Sequence, residues 1–71
     1  MKSTRLYIKI TLLERIDDHW SIWFEGLTIL PISETASLLT GKVQDRAAVH
    51  GYLERIRDLN LKFSSIIVEE K

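Results

Sequence analysis

The segment from Asp45 to Leu61 carries the strongest pattern in the chain and limits what the remaining residues can form. Its apolar side chains recur every three or four positions, which predicts an amphipathic helix with one buried face. That face consists of Val49, Tyr52, Leu53, Ile56 and Leu59. Asp45 suits the N-cap, and Asn60 suits the left-handed position that closes a helix in a Schellman motif. Such a helix has to bury its apolar stripe against a second layer.

Alternating segments on both sides of the helix predict that layer as a sheet. Polar and apolar residues alternate over residues 5–13, as they do in a half-buried strand. Residues 63–69 are rich in Ile and Val and predict the last strand.

A hairpin is predicted between these two strands. Residues 27–30 and 36–43 form its strands, and residues 31–35 form a polar turn that contains the only proline. Gly41, inside the second strand of the hairpin, indicates a bulge or a close approach of backbone.

The first connection is the least determined part of the fold. A short helix is predicted there, capped by Asp17 or Asp18 and ended by Gly26. We expect an α+β fold with a small, mostly antiparallel sheet and one main helix, ferredoxin-like (split βαβ) with a short first helix. Residues 14–26 barely supply the dozen or so residues that a crossover needs, so a three-stranded meander followed by helix and strand is the alternative.

The size of the chain favours association. Its 71 residues predict a single domain, residues 1–71, with a small core. No cysteine is present to form a disulfide or a thiolate zinc site. Because the predicted sheet has open edges, we expect a homodimer or a complex with another protein.

Charge and hydropathy exclude several classes of protein. Ten basic and ten acidic residues balance, whereas a protein that binds nucleic acid through phosphates normally has a basic excess. No apolar run approaches the length of roughly 18 residues that a spanning helix needs, and the first residues alternate instead of forming the apolar core of a signal peptide. The sequence therefore predicts a cytoplasmic protein with no membrane partner, and it disfavours nucleic acid as a partner.

The aromatic residues concentrate in the short segment 19–24. Trp20, Trp23 and Phe24 are candidates for an interface anchor or for the wall of a ligand pocket. Packing in the core is the competing interpretation, and it is favoured for Trp20 and Phe24, whereas the two interpretations are nearly balanced for Trp23.

The histidines and arginines offer weaker candidates. His19 and His50 belong to separate elements and share no ligand spacing, so neither predicts a metal or catalytic site, and no cofactor is expected. His50 lies on the helix flank with Arg46 and Arg57, where it predicts a surface pair with Glu54 one turn later. Acidic residues interleave with these arginines, which is typical of a solvated helix face.

Two segments of the chain resemble a known family. They read WSIWFEGLTI and LLTGKVQDRAAVHGYLERIRDLNL. These are similar to a family of small uncharacterised prokaryotic proteins with a W-S-x-W-F-x-G-L-T-I segment and an L-T-G-x-V-x-D-Q-A-A-L-H-G-L-L-x-R-I-R-D-L-G-L segment. The resemblance covers about residues 20–61 and implies no particular activity, cofactor or catalytic residue. Arg46 stands where that pattern has Gln, and Asn60 stands where it has Gly.

Three functions remain as hypotheses. The favoured one is a small, non-enzymatic, cytoplasmic protein-interaction or regulatory module that associates with itself. The second is a small-molecule binder or minor enzyme that uses the region of His19, Trp20 and Trp23. The third is a weak nucleic-acid binder that uses the arginine side of the helix.

Overall fold

Residues 6–70 adopt an α+β fold with a four-stranded antiparallel sheet and one α-helix. The computed structural model describes residues 6–70, apart from the side chain of Asp18. The elements in chain order are β1 (Leu6–Leu12), a 3-10 helix (Asp18–Ile22), β2 (Thr28–Ser33), β3 (Ala36–Val43), α1 (Arg46–Asp58) and β4 (Phe63–Glu70).

The strands lie in the order β2-β3-β1-β4, and every neighbouring pair is antiparallel. β1 is therefore a central strand that pairs with both β3 and β4. A meander would place β2 beside β1, whereas β3 lies between them, so the alternative topology is wrong. β2 and β4 form the two edges of the sheet.

The core lies between one face of the sheet and α1. The alternating pattern of β1 is confirmed, because its four apolar residues on this face are buried: Leu6, Ile8, Ile10 and Leu12. β3 contributes Leu39 and Val43 to the same core, and α1 contributes Val49 and Ile56. Removing these side chains from water is the main force that holds the helix on the sheet.

The ends of α1 agree with the sequence prediction. The Asp45 carboxylate accepts a hydrogen bond from the backbone N–H of Ala48 at 3.0 Å and caps the first turn. Asn60 has a φ of 62°, and the N–H of Leu61 donates to the carbonyl of Ile56 at 2.9 Å. This is the hydrogen bond that defines a Schellman motif.

The hairpin differs from the prediction at Pro31. β2 continues through Pro31 to Ser33, and the turn occupies only residues 34–35. Proline is tolerated here because β2 is an edge strand, and the pairing with β3 shifts register between Pro31 and Ser33.

The predicted short helix is a 3-10 helix of five residues. Asp17 is its N-cap, and Gly26 lies beyond it with a φ of 90°. Gly41 of β3 lies so close that an added Cβ would be 2.7 Å from the Gly26 carbonyl oxygen. The close approach predicted at Gly41 is confirmed, and the pairing of β1 with β3 shows no bulge there.

Candidate functional site

The aromatic segment is divided between core and surface. Phe24 is fully buried, and Trp20 is partly buried against the core. Trp23 is 49% exposed, and its neighbour Ile22 is 69% exposed. Of the three aromatic candidates, Trp23 is therefore the one that solvent or a partner reaches most easily.

Side chains of helix α1 hold this segment in place through hydrogen bonds and ring contacts. The Tyr52 hydroxyl donates a hydrogen bond to the backbone carbonyl of Glu25. Arg55 Nη1 donates to the carbonyl of Trp23 at 2.9 Å, and its guanidinium carbon lies 5.9 Å from the centre of the Tyr52 ring. The rings of Phe24 and Tyr52 are 6.5 Å apart. These contacts fix the backbone that carries Trp23.

His19 belongs to a local cap. Its Nδ1 lies 3.0 Å from Asp17 Oδ1, and the same oxygen accepts the His19 backbone N–H at 3.0 Å. Hydrogen bonds from the backbone N–H and then from the ring of His19 lower the pKa of Asp17 from its ordinary value. A shallow depression of about 410 Å³ beside them is lined by Asp17, His19, Ile29 and Pro31. Trp20 and Trp23 are not among the described residues that line it.

A larger groove, of about 620 Å³, opens between α1 and the ends of β1 and β4. Its apolar lining comes from Leu13, Leu53, Ile56, Leu61 and Phe63. Its polar lining comes from His50, Glu54, Arg57 and Lys62. We call this site the α1 groove. It brings together two sequence candidates, His50 and Arg57, that come from one flank of the helix.

The charged groups of α1 are arranged differently from the sequence prediction. His50 and Glu54 form no ion pair in the described part of the chain, although both line the α1 groove. Arg46 lies outside the groove and approaches Glu70 at 3.7 Å, where both side chains are largely exposed. A pair of this kind contributes little to stability because solvent screens it.

Backbone hydrogen bonds shape the floor of the α1 groove. The N–H of Leu13, just beyond β1, donates to the carbonyl of Lys62 at 2.8 Å. The Schellman turn then directs Leu61 back over the end of the helix. Beside these hydrogen bonds, the side chains of Leu13 and Phe63 are 51% and 41% exposed. Two large apolar side chains are thus held in solvent at one concave site.

The family of the chain was identified by comparison with protein-family models. The model described as "Domain of unknown function (DUF8691)" matches residues 7–67. The chain belongs to this family. The match contains all residues of the α1 groove and agrees with the uncharacterised family that the sequence predicted. Comparisons of the DUF8691 chain with curated proteins and with solved structures found no match.

Two apolar groove residues of this DUF8691 domain were missed by sequence reasoning. Leu13 and Phe63 lie at the ends of strands, where a regular pattern stops. The only signal was that Leu13, at the end of the alternating segment, puts an apolar side chain on the polar face of that strand. The links from Tyr52 and Arg55 to the aromatic segment were missed as well, because they join residues 27 and 32 positions apart.

Among residues 6–70, no group of three or more His, Asp or Glu side chains is arranged to hold a metal ion. The described helices also include none that is long and apolar enough to cross a membrane.

Proposed function

We propose that this DUF8691 chain is a small, cytoplasmic, non-enzymatic interaction module that associates with a second copy of itself through β4. The observation that carries the proposal is that β4 is an edge strand of the sheet formed by the described residues. β4 spans eight residues without proline or glycine, and its only charges are at the last two positions. Unpaired N–H and C=O groups along such an edge form a template for another strand.

The opposite edge of the sheet is protected. β2 has only six residues, contains Pro31, and carries a register irregularity between Pro31 and Ser33. Short length, proline and bulges are the usual means by which proteins prevent edge pairing. β4 has one irregularity, at Ser64 near its start, and residues 65–70 pair regularly with β1. The asymmetry favours β4 as the contact strand.

The sequence of β4 is compatible with a two-fold pairing. An antiparallel pair related by an axis perpendicular to the sheet places residues of the same face opposite one another. A register centred on Ile67 places that residue opposite its own copy, and Ile66 opposite the partner subunit's Val68. Glu69 then faces the partner subunit's Ser65, so that no like charges meet. Apolar cross-strand pairs of this kind stabilise a sheet.

We also propose that the fold is a ferredoxin-like split βαβ sheet. The connection from β3 through α1 to β4 passes over β1, which lies between these two strands. The 3-10 helix Asp18–Ile22 takes the place of the first helix. In this arrangement β4 lies at the edge of the sheet, beside β1.

The substitution Ile67→Lys tests the contact. It would set two ammonium groups opposite each other at the centre of the pair, and Ile67 is 49% exposed, so the monomer tolerates the change. We expect sedimentation velocity to show a wild-type dimer at micromolar concentration and a dissociation constant raised about tenfold or more in the variant. Ile32→Lys is the matched control, because Ile32 is 56% exposed on the other edge strand.

Hydrogen exchange identifies the strand directly. Wild-type β4 amides should exchange more slowly as the protein concentration rises, and β2 amides should not change. A wild-type chain that remains monomeric would overturn the proposal. Protection of β2, or equal weakening by the two lysine substitutions, would overturn the assignment to β4.

A further inference from the structure

We infer that the α1 groove binds a small amphipathic carboxylate, a molecule with an apolar tail and one carboxylate group. The inference does not depend on pairing through β4. It rests on apolar side chains and cations that the fold brings to one concave site of about 620 Å³. This volume is within the roughly 300–1,000 Å³ that is typical of small-ligand pockets.

The apolar part of the ligand is indicated by Leu13 and Phe63. Both are large side chains with about half of their surface in solvent, and both border the same groove. A single exposed apolar residue is ordinary, whereas a cluster in a concave site is typical of a binding surface. Leu53 and Leu61 extend the apolar wall inward. An apolar tail placed here would remove these groups from water together.

The groove is formed before any ligand arrives. The hydrogen bond from the Leu13 N–H to the Lys62 carbonyl, at 2.8 Å, joins the end of β1 to the start of β4. The Schellman hydrogen bond to Ile56 fixes Leu61 at the end of α1. These bonds fix the backbone that carries the side chains of the groove. Less conformational entropy of the protein is therefore lost when a ligand binds, which favours affinity.

The carboxylate part is indicated by the charges of the groove. Arg57 and Lys62 line it together with one acidic side chain, Glu54, so that two cations and one carboxylate leave one positive charge. Neither cation forms an ion pair with any residue that the structure describes. The planar guanidinium of an arginine matches a carboxylate with two parallel hydrogen bonds. One ligand carboxylate would complement this excess charge.

Other ligand classes fit the groove less well. A neutral apolar molecule would leave the excess positive charge of the groove without a counter-charge beside a low-dielectric tail. Nucleic acid gains its affinity from many phosphates, for which Arg57 and Lys62 are too few. A small molecule with an apolar tail and one carboxylate would contact the apolar wall with its tail and neutralise the excess positive charge with its carboxylate.

Three probes separate tail from charge. Octanoate carries both, octanol carries the tail without the charge, and acetate carries the charge without the tail. Each probe is titrated into isotope-labelled protein, and its binding is measured by NMR from the chemical shifts of the backbone amides. Octanoate should bind about tenfold or more tightly than either of the others, with shifts confined to Leu13 and residues 50–63.

Two arginine substitutions on one helix test the site. Arg57→Gln should weaken octanoate about tenfold and leave octanol binding unchanged. Arg46→Gln, at the other end of α1 and outside the groove, should change neither. Thermal unfolding of both variants checks that they remain folded. Repeating the titration with Ile67→Lys keeps this result separate from dimer formation, because groove binding should persist in that variant.

The inference fails in several definite ways. Equal binding of octanoate and octanol would show that the charge has no role. Equal effects of the two arginine substitutions would show non-specific attraction. Shifts centred outside the groove, or no shifts at all, would show that the groove is not a binding site for this class.

Discussion

Two glycines of this chain stand in opposite environments. At Gly41, an added Cβ would meet the Gly26 carbonyl oxygen at 2.7 Å and a Leu27 side-chain carbon at 2.9 Å. At Gly51, on α1, nothing lies within 4 Å of that position. The same residue type therefore permits close packing at one position and only weakens the helix at the other.

The substitution Gly41→Ala should destabilise the fold. The clash is with backbone, which cannot rotate away, and overpacking of this kind costs about 1–3 kcal/mol. Gly51→Ala is the control and should stabilise the chain by about 0.5–1 kcal/mol, because alanine has the higher helix propensity. Urea unfolding of both variants measures the difference in the free energy of unfolding. A neutral Gly41→Ala would show that the β3 backbone yields at this point.

Ser37 shows at the same scale how a polar residue is placed in the core. It is fully buried in β3, and its Oγ accepts a hydrogen bond from the Ile16 N–H at 2.8 Å. The bond joins residues 21 positions apart. Because the partner is a backbone group of a loop, no pattern in the sequence could reveal it.

At the scale of an element, α1 is the part of the fold that local signals determine best. Its N-cap, buried stripe and left-handed ending lie within one segment of the chain, so each signal acts through neighbours in sequence. The 3-10 helix is the contrasting case. The residues that follow it, Trp23 and Glu25, are held by distant contacts from Arg55 and Tyr52, and local propensity alone did not distinguish the 3-10 helix from a short α-helix.

The ending of α1 can be tested at Asn60. With a φ of 62°, this position accepts glycine most easily, asparagine next and alanine poorly. Asn60→Ala should lower the free energy of unfolding by about 1–2 kcal/mol. Asn60→Gly should leave it within a few tenths of a kcal/mol. Chemical denaturation of the pair provides the measurement, and equal losses in both variants would instead assign the effect to the asparagine side chain.

At the scale of the whole molecule, the sheet is covered on one face by α1, and its edges differ in protection. A domain of this size has little stability to spare, so any association contributes to the stability of the fold. The balanced charge of the chain does not oppose the approach of a second copy.

Association through β4 should make thermal stability depend on concentration. Only folded chains associate with one another, whereas unfolded chains do not. The Tm of the wild type should therefore rise with protein concentration. The Tm of Ile67→Lys should be nearly constant over the same range, and that of Ile32→Lys should follow the wild type. Calorimetry at several concentrations measures the three curves. A constant wild-type Tm would contradict the proposed dimer.

The sequence by itself determined the elements whose signals are local. The alternation in β1 and the stripe and caps of α1 were predicted closely, because residues two, three or four positions apart define each of them. Only the tertiary structure decided the strand order, the acceptance of Pro31 in an edge strand and the assembly of the α1 groove from Leu13, Arg57 and Phe63. These features depend on which strands are neighbours in space. That choice comes from burying one shared core, and it leaves no periodic trace in the chain.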